Sequence, residues 1–419
     1  MTESTGGGVT QGSGEFSDVV CPFCGLGCDD ATLKVSGASV EAGEGVCGRA
    51  AALFRRGPEP APAARINGHE APIEAAISAA AELLAGARSP VYAGLGADVD
   101  GVRAILKLAA KTGGSVDHYA SPGLYKNLAS SQRKGWIATT FAEVRNRCDL
   151  FVVVGPDPSK AFHQLYSRVT PKTGRFLTGP RKVVFVGGEP TVEAKSQLEG
   201  STVETIPVPE SGLVDAMSRL QALVSGASPA KGEPDLTPLA EALKAAKYAV
   251  LAWSASSLGD DGDLVIERAV SVVDALNVTT RAACLPLSGK DNLTGAYHVS
   301  LWTTGFPLRL GFRVGISEHD QSAYSTQNAL EDADILVWTS AFRPEKPPSS
   351  DAQIIAIAHP GTEFEREPDV FIPVGQPGLD HAGLVFRADS VVGLPLKKYR
   401  DAGLKSVAEV VTGIAEAQP

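Results

Sequence analysis

The chain has 419 residues, 43% hydrophobic and 21% charged, with a net charge of −10. This is an ordinary globular composition with length for two or three domains. The acidic balance excludes nucleic acid as a partner, because phosphate contacts need concentrated Lys and Arg, and no stretch of 18 uninterrupted apolar residues is present to span a bilayer. Residues 1–18 are Gly/Ser/Thr-rich and acidic, without a basic start or an apolar run, and read as a flexible leader rather than a signal peptide. Without export the expected compartment is the cytoplasm, where thiols stay reduced and metal ligation is favoured over disulfides.

Residues 19–65 carry Cys21, Cys24, Cys28 and Cys47 in the spacing C-x2-C-x3-C-x18-C, and only Cys148 and Cys284 lie elsewhere. Four thiolates with tight turns between them suit a tetrahedral metal ion or a cubane cluster. Gly25 and Gly27 let the backbone curl round such a centre without a Cβ in the way. The residues leave open a [4Fe–4S] cluster, a zinc ion or an empty site.

From residue 66 onward, helices alternate with strands apolar on both faces, the pattern of parallel sheets. Ile73–Ala85 and Val102–Thr112 read as helices around a strand at Pro90–Gly94; Cys148–Gly155 and Arg181–Gly187 read as buried strands. The order then repeats: Tyr248–Trp253 matches Pro90–Gly94, Asp334–Thr339 matches the strand at Asp149, and Gln353–Ala358 matches that at Arg181. Even the trailing segments Glu204–Pro209 and Val370–Gly375 agree. Two doubly wound α/β domains follow, at 66–228 and 238–419, joined by the Gly/Pro/Ser/Lys-rich stretch Ser225–Pro238, with any large ligand in the cleft between them.

A four-cysteine domain ahead of two pseudo-repeated α/β domains resembles the molybdopterin/tungstopterin oxidoreductases, here without their C-terminal β-barrel. Ser300-Leu-Trp-Thr-Thr-Gly-Phe-Pro307 and Cys28-Asp-Asp30 narrow the resemblance to the beta-subunit family of formylmethanofuran dehydrogenase. In that family a Cys and a His serve the tungsten or molybdenum centre, and the resemblance puts them on Gly123 and Leu124 here. No Cys occurs between Cys47 and Cys148, so the thiolate ligand is missing and no tungstopterin or molybdopterin is expected. This loss matches the branch of the family in bacterial formyltransferase/hydrolase complexes, which convert one-carbon units from formaldehyde to formate. The resemblance implies a non-catalytic scaffold subunit, working with the other subunits of such a complex. Two alternatives stand beside it: an active tungsten- or molybdenum-dependent dehydrogenase with Asp98 or Asp100 replacing the thiolate, and an iron–sulfur electron-transfer module.

Other chemistry-bearing residues have structural readings. Cys148 opens an apolar strand and reads as an inert buried thiol. His118, near a strand end, reads as a polar loop residue. Gly94-Leu-Gly-Ala-Asp98 lacks a G-x-G-x-x-G pattern and reads as a tight turn, while the loops at Gly155 and Gly187 are strand-to-helix connections. Arg309 and Arg313, in a region where the family keeps an active-site arginine, are expected to pair with carboxylates or a neighbouring subunit. No nucleophile elbow, H-x-H pair or H-E-x-x-H is present, so no catalytic residue is assigned.

Overall fold

The computed structural model describes residues 13–55, 62–228, 232–313 and 316–418. Most of the expected leader, residues 1–12, lies outside them. Its last residues do not form a leader: Ser13–Val19 is a strand, β1, antiparallel to β2 (Ala31–Ser36), which pairs in turn with β3 (Ser39–Ala42). Composition marks this stretch as flexible, but β2 supplies its backbone with partners, and Phe16 packs on Tyr399. Helix α1 (Gly48–Arg55) follows.

The chain then runs through β4 (Ala64–Ile66), β5 (His69–Ala71), α2 (Ile73–Ala85), β6 (Pro90–Gly96), α3 (Val99–Thr112), β7 (Gly114–Val116) and α4 (Ser121–Lys134). Next come α5 (Phe141–Arg147), β8 (Leu150–Val154), α6 (Leu165–Val169), β9 (Lys182–Val186), α7 (Val192–Gln197), β10 (Thr202–Ile206) and α8 (Leu213–Val224). The later half holds α9 (Thr237–Ala245), β11 (Ala249–Trp253), α10 (Gly262–Leu276), β12 (Ala282–Pro286), α11 (Leu293–Thr304), β13 (Leu310–Arg313) and β14 (Ile316–His319). It closes with α12 (Thr326–Ala329), β15 (Ile335–Ser340), β16 (Gln353–Ala358), β17 (Val370–Pro373), the hairpin β18 (Gly383–Phe386) and β19 (Gly393–Leu396), and α13 (Val407–Ala417).

The chain is mixed α/β, with two large sheets. The first has nine strands in the order β14-β13-β7-β6-β15-β16-β17-β4-β5; the second has five in the order β10-β9-β8-β11-β12. All five strands of the second are parallel, as is the run β7-β6-β15-β16-β17 of the first. Each parallel set therefore has the same layout, with two strands on one side of a switch point and three on the other. Strands matched in the sequence take equivalent places: β6 corresponds to β11, β8 to β15, β9 to β16 and β10 to β17.

The sheets nevertheless do not divide the chain at 228–238. β6 and β7 pair with the late strands β15–β17, while β8–β10 pair with β11 and β12. Two helices make the exchange. α4 leaves the first sheet and packs against α10, where Arg133 pairs with Asp263 and Glu267 and Asn127 accepts from Trp253 Nε1 at 2.9 Å. α11 returns the chain to α3 and β6. The Pro/Gly-rich stretch near 225–238 joins α8 and α9, which pack together on the second sheet. Arg219 anchors it by donating to the carbonyls of Gly232, Glu233 and Pro234. Its described residues belong to one unit, and its composition alone could not show which sheet lay on either side.

The small three-stranded sheet shares a core with one face of the second sheet: Leu33, Val35 and Phe54 cluster with Phe151, Phe185 and Val250. Leu394 and Leu396 of the C-terminal hairpin close over the same cluster. The cysteine segment is therefore held by elements from the whole length of the chain.

Candidate metal centre

The four N-terminal cysteines line one cavity of about 50 Å³, together with Phe23, Leu26, Phe162, Arg49, Lys290 and Arg343. A water needs about 10–15 Å³ of such space, so the cavity has room for a small guest. The first three cysteines sit on a loop closed by the Cys21 N–H donating to the Cys28 carbonyl at 2.8 Å. Gly27 has φ +67°, a left-handed turn that favours glycine, and a Cβ there would stand 2.8 Å from the Leu394 side chain of the overlying hairpin. Cys47 directly precedes α1, and its sulfur accepts from the Ala50 N–H at 3.5 Å.

Burial, reinforced by the charges of Cys24 and Cys28, pushes the Cys21 thiol well above its ordinary range. Burial also lifts Cys24 to about 11 and Cys28 to about 12. Among the described residues no three Cys, His, Asp or Glu side chains stand in a ligating arrangement as placed. The donor set still fits a soft metal: four sulfurs line one cavity, the Ala50 N–H points at one of them, and a metal ion would favour the thiolate over the buried thiol. Asp30, after Cys28, makes a two-point pair with Arg168, each contact 2.6 Å, which holds its carboxyl below the usual carboxylate range.

The remaining cysteines stand apart from this cavity. Cys148 is fully buried, donates to the Leu150 carbonyl at 3.2 Å and is lifted by burial to about 12. Cys284 is also buried and raised by desolvation.

Behind the cysteine loop lies a polar cluster that sequence reasoning missed. Asp291, 1% exposed, accepts from Arg343 Nε at 2.7 Å and again from Nη2, and its other oxygen accepts from the Tyr119 hydroxyl. Arg343 Nη2 also donates to the Phe23 carbonyl at 3.3 Å, and the Asp291 N–H to the same carbonyl at 3.1 Å. His118 lies in the loop between β7 and α4, as expected, but it is wholly buried: its Nδ1 accepts from the Ala120 N–H at 3.0 Å, and Nε2 lies 3.3 Å from the Asp291 carbonyl. Burial depresses it to about 4, so it is neutral at pH 7 with both ring nitrogens engaged. The one available signal was Asp291-Asn292, a dipeptide that tolerates the left-handed conformation both residues adopt, with φ 50° and 59°.

The residues weighed as replacement ligands lie elsewhere. Asp98 caps α3, accepting from the Gly101 N–H at 3.1 Å, and Asp100 is exposed beside Arg103 at 3.4 Å. Gly94 has φ +85°, and a Cβ would meet the Thr339 carbonyl at 2.4 Å, which makes Gly94–Asp98 a close strand approach and turn. Gly123 and Leu124 lie inside α4: a Cβ on Gly123 would stand 2.9 Å from the Ser256 nitrogen, and Leu124 packs in the first sheet's core. Arg309 lies 3.7 Å from Asp117 and over the Tyr125 ring at 4.0 Å, while exposed Arg313 pairs with Glu318 at 3.1 Å. Arg309, Tyr119, Tyr125, Trp338 and Glu345 line a separate open cleft of about 890 Å³.

Fold and site together define an α/β chain whose N-terminal four-cysteine pocket is built onto two interleaved parallel sheets. The chain is 30% identical over 332 residues to the beta subunit of the formyltransferase/hydrolase complex Fhc of Methylorubrum extorquens, covering 77% of this chain and 88% of that one. It is 26% identical over 424 residues to the beta subunit of the tungsten-containing formylmethanofuran dehydrogenase 2 of Methanococcus maripaludis, covering 94% and 97%. A chain in the crystal structure of the Methylorubrum extorquens formyltransferase/hydrolase complex with methylofuran superposes with a TM-score of 0.74 at 29% identity, over 84% of this chain and 98% of that one. No family model matches. The chain belongs to the family of Fhc beta subunits, related to the beta subunits of formylmethanofuran dehydrogenases.

Proposed function

We propose that this chain is a non-catalytic scaffold subunit of a formyltransferase/hydrolase complex in one-carbon metabolism, acting in the cytoplasm with the complex's other subunits. The observation that carries this reading is the material at Gly123 and Leu124, where the resemblance puts a thiolate and an imidazole. One position has no room for a Cβ and the other is a core leucine. Neither aspartate weighed as a substitute faces the cysteine cavity or the large cleft. Formyl transfer and hydrolysis then belong to other subunits. No helix among the described residues is long and apolar enough to cross a membrane.

Cys21, Cys24, Cys28 and Cys47 would hold a [4Fe–4S] cluster or a zinc ion. A cluster would supply one-electron transfer, and zinc a structural crosslink. The protein's part is to present three sulfurs on a loop fixed by the hairpin above and Arg343 behind, with the fourth at the start of α1.

Elemental analysis of anaerobically purified protein tests the reading. Iron or zinc at one centre per chain, with no tungsten or molybdenum and no viologen reduction with formate, is expected. Stoichiometric tungsten or molybdenum would overturn the scaffold assignment.

A further inference from the structure

The cysteine cavity and the large cleft are separated by a wall of polar side chains whose centre, Asp291 and Arg343, is buried. Arg343 and Lys290 face the cavity; Tyr119 and Glu345 face the cleft. Asp291 joins the two sides, taking Arg343 on one and the Tyr119 hydroxyl on the other. Lys290 runs parallel to this link, 3.4 Å from Glu345 and 4.6 Å from the centre of the Tyr119 ring.

The wall also grips the cysteine loop. The Phe23 carbonyl, between Cys21 and Cys24, accepts from both Arg343 and the Asp291 N–H. Two residues on, the Gly25 carbonyl accepts from the Ala388 N–H at 2.7 Å, and a Cβ on Gly25 would stand 3.1 Å from Gly289. The Arg343 side chain is 9% exposed, and its guanidinium is held by Asp291 and the Phe23 carbonyl while its own carbonyl accepts from Ser340 Oγ at 2.8 Å. A buried arginine that shares its donors between a carboxylate and a loop carbonyl fixes that loop's shape. Groups that orient metal ligands in this way alter affinity about 10–100-fold when removed.

Resting on the four cysteines as metal ligands, we propose that Arg343 is a positioning residue for the centre: it sets the turn between Cys21 and Cys24 and, through Asp291 and Tyr119, ties the centre to the wall of the cleft. An occupant of the cleft touching Tyr119 would then be felt at the metal, with no group moving more than a hydrogen bond's length.

The test uses the full-length chain, prepared anaerobically without metal and titrated with Co²⁺, with binding read from thiolate-to-cobalt charge-transfer absorption. The double variant Arg343→Gln with Asp291→Asn removes both buried charges together, and is expected to bind Co²⁺ about tenfold or more weakly. Tyr119→Phe touches no cysteine and keeps the ion pair, so it carries the test independently of folding. It is expected to shift the charge-transfer band while lowering the thermal unfolding temperature of the metal-free protein only modestly, by the one hydrogen bond Asp291 loses. Wild-type affinity in the double variant, or a wild-type band in Tyr119→Phe, would overturn the positioning role. Wild-type protein that shows no thiolate–cobalt band would overturn the metal reading itself, and this proposal with it.

Discussion

The cysteine cavity and the start of α4 meet at Asp291, yet they are built from opposite materials. On the cavity side, four sulfurs, a directed N–H group and three cations are gathered into a pocket. On the α4 side, glycine and leucine serve only packing, Gly123 against Ser256 and Leu124 in the core. The cysteine loop can be part of the fold and a donor set at once, because its turns tie the small sheet to the C-terminal hairpin. A ligand on α4 has no such second use, since the helix is placed by its packing on α10 and the first sheet.

The largest test of this contrast is to break the wall from one side. Arg343→Ala leaves the Asp291 carboxylate buried without its cation, and should cost about 3–5 kcal/mol in urea unfolding. A cost below about 1 kcal/mol would show that the wall does not hold the cysteine loop.

Next comes His118. Its folded value of about 4 lies below the ordinary 6.5, so the fold favours the neutral ring. The stability this contributes is fully present above pH 6.5 and is lost as pH falls through the window from 6.5 to about 4, up to about 3 kcal/mol. In His118→Gln this part of the pH–stability curve should flatten. An unchanged slope would place the acid sensitivity on other groups.

Gly123→Cys sharpens the comparison from the other side. The new Cβ must push on the Ser256 backbone, so a loss of about 1–3 kcal/mol is expected, with no gain of tungsten or of viologen reduction. Dye reduction in this variant would mean that a single thiol separates scaffold from enzyme.

The smallest effect belongs to Asp100→Asn. Its pair with Arg103 is exposed, so stability should change by less than about 0.5 kcal/mol and Co²⁺ binding not at all. A lost metal would revive the aspartate ligand.

By itself the sequence determined what is local. Helix Ile73–Ala85 and strand Gln353–Ala358 carry the bounds that their periodicity predicts, because an apolar run or stripe needs only its neighbours to be recognised. The cysteine motif was legible for the same reason, with three donors inside eight residues and glycines where the turn needs them. Tertiary structure decided which strands share a sheet. β6 and β11 are equivalent apolar runs, and only the paths of α4 and α11 send β6 to β15 and β11 to β8. Tertiary structure also assembled the wall from Tyr119, Asp291 and Arg343, residues more than 170 and 50 positions apart with no shared periodicity. Their meeting depends on three chain segments crossing at the ends of β6 and β15, where burial turns ordinary polar residues into a fixed network.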